Sequence, residues 1–148
     1  MQCVVDTNIL FTFFWKESFL KLILTKQYLT CYAPEYALEE IKKYASDIQK
    51  RAHLSKEEWT TLLQSLAQQI LFIPLENYTS SFSIIIGASQ HCSSEQEREE
   101  FLKDADFLAL AAELKCPLWS HDKLLKKQSI ITVWNTRELI ALFPEDKV

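Results

Sequence analysis

Cys3-Val4-Val5-Asp6-Thr7-Asn8-Ile9-Leu10 is the stretch that decides how this chain reads. An apolar run, β-branched at its end, climbs into a carboxylate, passes Thr7 and Asn8, and turns apolar again. The first half predicts a buried strand over 2–5; the second opens a helix near Ile9. A strand that ends in Asp puts a negative charge on the C-terminal edge of a sheet. In open α/β folds ligands and reacting groups collect on that edge. An Asp after a strand is also ordinary turn chemistry. The meaning of Asp6 therefore depends on whether other carboxylates reach the same edge.

Strand-like and helix-like segments alternate through the rest of the chain. Helical spacing runs from about Ile9 to Lys26, with a break near Trp15. Thr30-Cys31-Tyr32 predicts a second strand, and Pro34 opens a helix to about Gln49. Ser55-Lys56-Glu57-Glu58 is a capping box that starts a helix through about Gln69. Leu71-Phe72-Ile73 predicts a third strand and 77–88 a helix. Ser89–Glu100 is polar and reads as a loop or a solvated helical turn. Asp104-Ala105-Asp106 then leads, as an acid cap, into a buried helix over 107–114. Pro117-Leu118-Trp119-Ser120 and Ile130–Trp134 predict the last two strands, and Arg137–Phe143 a closing helix. Short apolar strands alternating with helices predict a three-layer α/β/α sandwich, with a mainly parallel central sheet of about five strands. A length of 148 residues fits one domain over 1–148.

Composition removes several classes of function. A single glycine, Gly87, leaves no way to write a Rossmann or P-loop phosphate motif. The formal charge of −4 argues against a broad basic coat for nucleic acid. It does not argue against a nuclease whose clustered acids hold metal. Cys3, Cys31, Cys92 and Cys116 form no C-x-x-C pair and read as free thiols, which fits a reducing cytoplasm. The N-terminus makes a poor signal peptide, and no apolar run approaches a membrane span.

Four carboxylates form a candidate set, and three of them fall where strands end or helices begin. Asp6 ends the first strand, Asp104 opens a helix, and Asp122 follows the fourth strand. Glu40 sits on the helix after the second strand, at the rim of its apolar face. Ionised carboxylates brought together repel and resist desolvation. A hard divalent cation such as Mg²⁺ or Mn²⁺ reverses that cost. Such an ion activates water and neutralises a phosphate oxygen, so the set points to phosphodiester hydrolysis.

Four segments carry a resemblance. Val4-Val5-Asp6-Thr7-Asn8-Ile9-Leu10 resembles the opening motif of the PIN-domain family. These metal-dependent ribonucleases include the VapC-like toxins of bacterial and archaeal toxin–antitoxin pairs. Pro34-Glu35-Tyr36-Ala37-Leu38-Glu39-Glu40-Ile41 resembles the second motif and favours Glu40 over Glu39. Asp104-Ala105-Asp106-Phe107-Leu108-Ala109-Leu110-Ala111 resembles the third and selects Asp104; Asp106 stands where many relatives have Pro or an apolar residue. Pro117-Leu118-Trp119-Ser120-His121-Asp122-Lys123 resembles the fourth. The resemblance implies a PIN-like fold and an Mg²⁺- or Mn²⁺-dependent endoribonuclease. In it Asp6 and Asp104 hold the main metal, and Glu40 and Asp122 act through water or at a second site. Asn8 and Ser120 orient these groups. It further implies an RNA substrate, a cognate antitoxin and a homodimer as partners, with no membrane.

Three other readings compete. A non-catalytic PIN-like module would bind RNA or protein without turnover. A phosphoacceptor signalling domain needs paired early acids, and Thr7-Asn8 follow Asp6 instead. A haloacid-dehalogenase-like phosphatase wants a second Asp where Asn8 stands. Lys123, Lys126 and Lys127 read as a solvated basic face rather than an RNA contact. Trp119 and Trp134 read as core, and Trp15 and Trp59 as dimer-packing aromatics.

Overall fold

Cys3, Val4 and Val5 are fully shielded from solvent, as a strand covered on both faces requires. They form β1 (Gln2–Val5). The computed structural model describes residues 1–143; residues 144–148, the end of the expected domain, lie outside the described residues. Four further strands follow: β2 (Thr30–Pro34), β3 (Leu71–Ile73), β4 (Leu118–Trp119) and β5 (Val133–Trp134). All pairings are parallel, in the order β3-β2-β1-β4-β5, with β1 at the centre. The chain builds outward from β1 in one direction and later returns to its other side. The sheet's topological switch point thus lies between β1 and β4.

Helices flank the sheet in a three-layer α/β/α arrangement. They are α1 (Thr7–Phe11), α2 (Phe19–Thr25), α3 (Glu35–Lys43), α4 (Ala45–Ala52) and α5 (Lys56–Gln69). After them come α6 (Phe82–Ala88), α7 (Glu95–Leu102), α8 (Ala105–Leu114) and α9 (Thr136–Ile140). α8 buries five consecutive residues, Phe107 to Ala111, and packs against β1, β2 and β4. A helix apolar on so many sides belongs in the interior. The capping box at Ser55 forms as its sequence predicts, with Ser55 and Glu58 exchanging hydrogen bonds at 2.9 and 3.1 Å.

Several elements differ from the sequence expectation. The helix predicted from Pro34 to Gln49 breaks at Tyr44, whose φ of −96° and ψ of 19° separate α3 from α4. The polar stretch after Ser89 becomes α7, capped by Ser94, which accepts from the Glu97 amide at 3.1 Å. The fifth strand is only Val133–Trp134. Residues 128–132 are held instead by the buried Gln128 side chain. Its oxygen accepts from the amides of Ile130 and Ile131, and its nitrogen donates to the carbonyls of Leu125 and Ile131. Four side-chain hydrogen bonds outweigh the β-branched preference of Ile130-Ile131. Trp59 is buried, with its ring stacked 4.7 Å from that of Phe14, so it is core rather than a dimer contact.

All four cysteines are free. Cys3 and Cys31 lie opposite each other on β1 and β2. Burial pushes the Cys31 thiol up to about 12 and that of Cys116 to about 11, so these thiols are inert packing groups.

With one glycine in the chain, helix ends use other residues. Gln27, His53 and Lys115 all take left-handed φ near 55°, at about 1 kcal/mol each. Lys115 is exposed and sits at the C-cap of α8. Lys115→Gly is expected to stabilise the protein by roughly 0.5–1 kcal/mol. Leu110→Ala, in the same helix but fully buried, should cost about 2–5 kcal/mol. Urea unfolding of both variants checks the pair; a destabilised Lys115→Gly would show that the cap carries no strain.

Candidate active site

Asp6 follows β1 directly. Its amide donates to the Trp119 carbonyl at 3.2 Å, and its Oδ1 accepts from the Ile9 amide at 3.0 Å, capping α1. The residue is only 6% exposed. Burial pushes its carboxyl above the ordinary range; the Ser120 hydroxyl, the Ile9 amide and His121 pull it back in part, and Asp122 pushes it further.

Across the switch point, β4 leads into Ser120, His121 and Asp122. Ser120 is buried, and its Oγ accepts from the Asp122 amide at 3.0 Å. The Asp122 carboxylate accepts from the Leu124 amide at 2.9 Å, closing a short turn. His121 is exposed, with its Nε2 2.8 Å from Thr136 Oγ1. Ser120 thereby fixes Asp122 while lying beside Asp6.

Asp104 stands at the N-cap of α8, yet its carboxylate caps nothing. Only Lys103 separates α7 from Asp104, and the tight junction leaves Asp104 at φ −100°, ψ 15°. N-caps that bind backbone amides are extended, as Asp6, Ser18 and Ser55 are here. The acid-cap expectation therefore fails for both candidates. Asp106 instead accepts from the Tyr78 hydroxyl at 2.7 Å. The half-buried Asp104 carboxyl is pushed up to about 6, first by burial and then by Asp122, Asp6, Glu100 and Glu40.

Glu40 lies on α3 one turn beyond Tyr36, half-buried, and its Oε2 accepts from Thr7 Oγ1 at 3.4 Å. Glu39 is exposed beside Lys42, 3.7 Å away.

These elements enclose a cleft of about 350 Å³ at the C-terminal edge of the sheet. Asp6, Glu40, Asp104 and Asp122 all line it, with Asn8 at its rim. Ser120 lies behind it, and Glu39 and Asp106 do not line it. Sequence reasoning missed Thr7, Tyr36 and Lys103, which also line the cleft. Tyr36 is readable afterwards as one helical turn before Glu40, and Lys103 as the neighbour of Asp104. Beside the cleft runs a groove of about 800 Å³ that shares Tyr36, Glu40 and Lys103 with it. Glu35, Glu39, Glu76 and Asp106 add four further carboxylates there.

The chemistry of this donor set suits a hard cation. Among the described residues no Lys, Arg or His forms an ion pair with Asp6, Glu40, Asp104 or Asp122. Also among the described residues, no three His, Cys, Asp or Glu side chains are arranged to hold an ion between them. That combination fits an ion bound through one or two carboxylates with water completing its shell, the habit of Mg²⁺.

The family model for the PIN domain matches residues 4–143. The chain belongs to the PIN-domain family. The four motif-like segments, from Val4 to Lys123, all fall within that span. PIN domains are in general divalent-metal-dependent nucleases. Among solved structures, the chain resembles one from VapBC2 of Rickettsia felis bound to a DNA fragment from its promoter. The TM-score is 0.63 at 15% identity, covering 91% of this chain and 98% of that one, so the likeness is one of fold. Comparison with curated protein sequences gives no match. Among the described residues no helix is long and apolar enough to cross a membrane.

The Asp104 carboxyl gives a pH dependence with a definite sign. Unfolded, it loses its proton near the ordinary value of about 3.9; folded, near 6. Between those values the folded state binds more protons, so stability falls as pH rises. In chelator, the parent should lose stability relative to Asp104→Asn from about pH 4 to about pH 6, with the difference level above that. Thermal melts of both proteins across the window provide the check; a constant difference would refute the shift.

Proposed function

We propose that the protein is an Mg²⁺- or Mn²⁺-dependent endoribonuclease that hydrolyses RNA phosphodiester bonds, acting as the toxin of a toxin–antitoxin pair. The observation that carries this reading is the convergence of Asp6, Glu40, Asp104 and Asp122 on one cleft at the switch point of the sheet. The bound ion would supply an activated water and offset charge on the phosphate.

The side chains divide the remaining work. Asp6 and Asp104 are the carboxylates most confined by burial and mutual repulsion, so they gain most from a cation and are its proposed direct ligands. Glu40, held by Thr7, and the exposed Asp122 act through water at the other walls. Ser120 positions Asp122 through its backbone amide, and Asn8 is placed to orient bound water at the rim. Among the described residues Lys103 is the only basic side chain lining the cleft, and it is the proposed contact for a phosphate oxygen.

For the antitoxin, support comes from the fold shared with a chain of a VapBC complex and from the acidic groove beside the cleft. Five carboxylates face one lysine along that groove, a charge pattern suited to a basic partner segment. Four free cysteines fit a cytoplasmic protein. The acidic charge, −4 overall and concentrated in the groove beside the cleft, favours the alternative of a non-catalytic PIN-like module that binds RNA or protein.

Cleavage of single-stranded RNA with Mg²⁺ or Mn²⁺ separates the two. Asp6→Asn and Asp104→Asn should each lower turnover by at least about 100-fold, and Ser120→Ala should weaken metal affinity roughly 10–100-fold. Equal cutting by parent and Asp variants would point to a contaminant. Binding of RNA without turnover by the parent would establish the module instead.

A further inference from the structure

The borders of the carboxylate cleft differ in chemistry. On the border formed by Tyr36 and Lys103 lies the acidic groove, whose carboxylates repel a polyanion. Of the three basic residues read from the sequence near the fourth strand, only Lys123 is free of an ion pair among the described residues. Lys126 is paired with Glu138, and Lys127 with Glu97 at 2.7 Å.

A second border is aromatic. Phe11 and Tyr44 line the cleft and also a separate pocket of about 240 Å³, completed by Trp15, Asp47, Ile48 and Arg51. Phe11 and Tyr44 meet edge to face with centroids 6.2 Å apart. Tyr44 is 43% exposed although it sits where α3 breaks, and Trp15 is half-buried after α1. The Lys43 ammonium lies 5.8 Å from the Tyr44 ring centroid. Arg51 is exposed, and among the described residues no carboxylate is within ion-pair distance of it.

The geometry points to this pocket as a nucleobase subsite: it takes one unpaired base of a single-stranded RNA whose neighbouring phosphodiester lies in the carboxylate cleft. The inference rests on the nuclease reading and names how its substrate is held. Three observations support it. The pocket and the cleft share Phe11 and Tyr44 as a common wall, which sets a base in one beside a phosphate in the other. Its volume lies below the roughly 300 Å³ at which pockets for drug-sized ligands begin, which suits one ring system better than a peptide helix. Its charged lining matches a nucleotide: the Arg51 guanidinium can pair with phosphate, and the Asp47 carboxylate can accept from an exocyclic amine. Unpaired bases are commonly held by stacking on aromatic rings. Duplex RNA, with its bases stacked inside, cannot supply the ligand.

The test measures binding and cleavage separately. Fluorescently labelled single-stranded RNA and the same strand in duplex are titrated, with Mg²⁺, into protein carrying Asp6→Asn. Trp15→Ala and Tyr44→Ala, each added to that background, should weaken single-strand binding roughly tenfold, about 1.4 kcal/mol. Tyr44→Phe, which keeps the ring, should bind like the background protein and controls for misfolding. In cleavage assays with Asp6 intact, Tyr44→Ala should raise KM by a similar factor. Unchanged affinity in both alanine variants, or equal affinity for duplex, overturns the subsite. So does a dimer that Trp15→Ala dissociates while RNA affinity stays the same, because a second copy would then own the pocket. Ring-dependent binding without any cleavage would sink the nuclease reading and leave the base pocket standing. Cleavage with KM untouched by Tyr44→Ala would do the reverse.

Discussion

The Asp6 amide donates to the Trp119 carbonyl while the Asp6 carboxylate accepts from the Ile9 amide. One residue thereby extends the β1–β4 ladder and opens α1, at the point where strand order reverses. A carboxylate fixed by two backbone bonds and 6% exposed cannot swing into solvent to relieve its charge. The surroundings are arranged around that constraint. Ser120 lies beside it and holds Asp122 in a turn, and the α7–α8 junction turns Asp104 away from capping and toward the cleft. Each additional carboxylate makes ionisation of the others harder, which is why Asp104 is raised to about 6. Carboxylates in such an arrangement are strained without a cation and relieved with one.

Legibility in the sequence followed the range of the interactions involved. Asp6 was readable because a strand end and a helix start meet at one residue, both local events. Glu40 was favoured over Glu39 by the resemblance of 34–41 to the family's second motif, and the structure puts Glu40 half-buried beside Thr7 and Glu39 in solvent. The position of Asp104 was legible, but the release of its carboxylate from capping was not: that depended on the backbone angles forced by a one-residue link between helices. Ile130-Ile131 carried a strand signal that the Gln128 side chain overrode through four hydrogen bonds. Tyr36, inside the second motif but without an assigned role, and Lys103, outside every motif, line the cleft because of how α3 and the α7–α8 junction pack across the sheet edge.

The net charge of −4 weighs against a broad basic coat for nucleic acid. The fold gives that number a spatial meaning. Carboxylates concentrate in the cleft and in the groove beside Tyr36, while Lys43 and Arg51 gather around exposed aromatic rings at another border. Attraction between solvent-exposed charges fades over about 8 Å at physiological salt. A polyanion is therefore not drawn to this protein from a distance as it would be to a basic surface. Contact-range forces must do the selecting: stacking where the rings are exposed, and a cation where the carboxylates converge. Under the proposed function, substrate choice then depends on which strands can present an unpaired base, and chemistry depends on whether a metal is present. The two requirements meet at Phe11 and Tyr44, which line both spaces, so base preference can change through Trp15, which lines the pocket and not the cleft, while the carboxylates that begin with Asp6 stay in place.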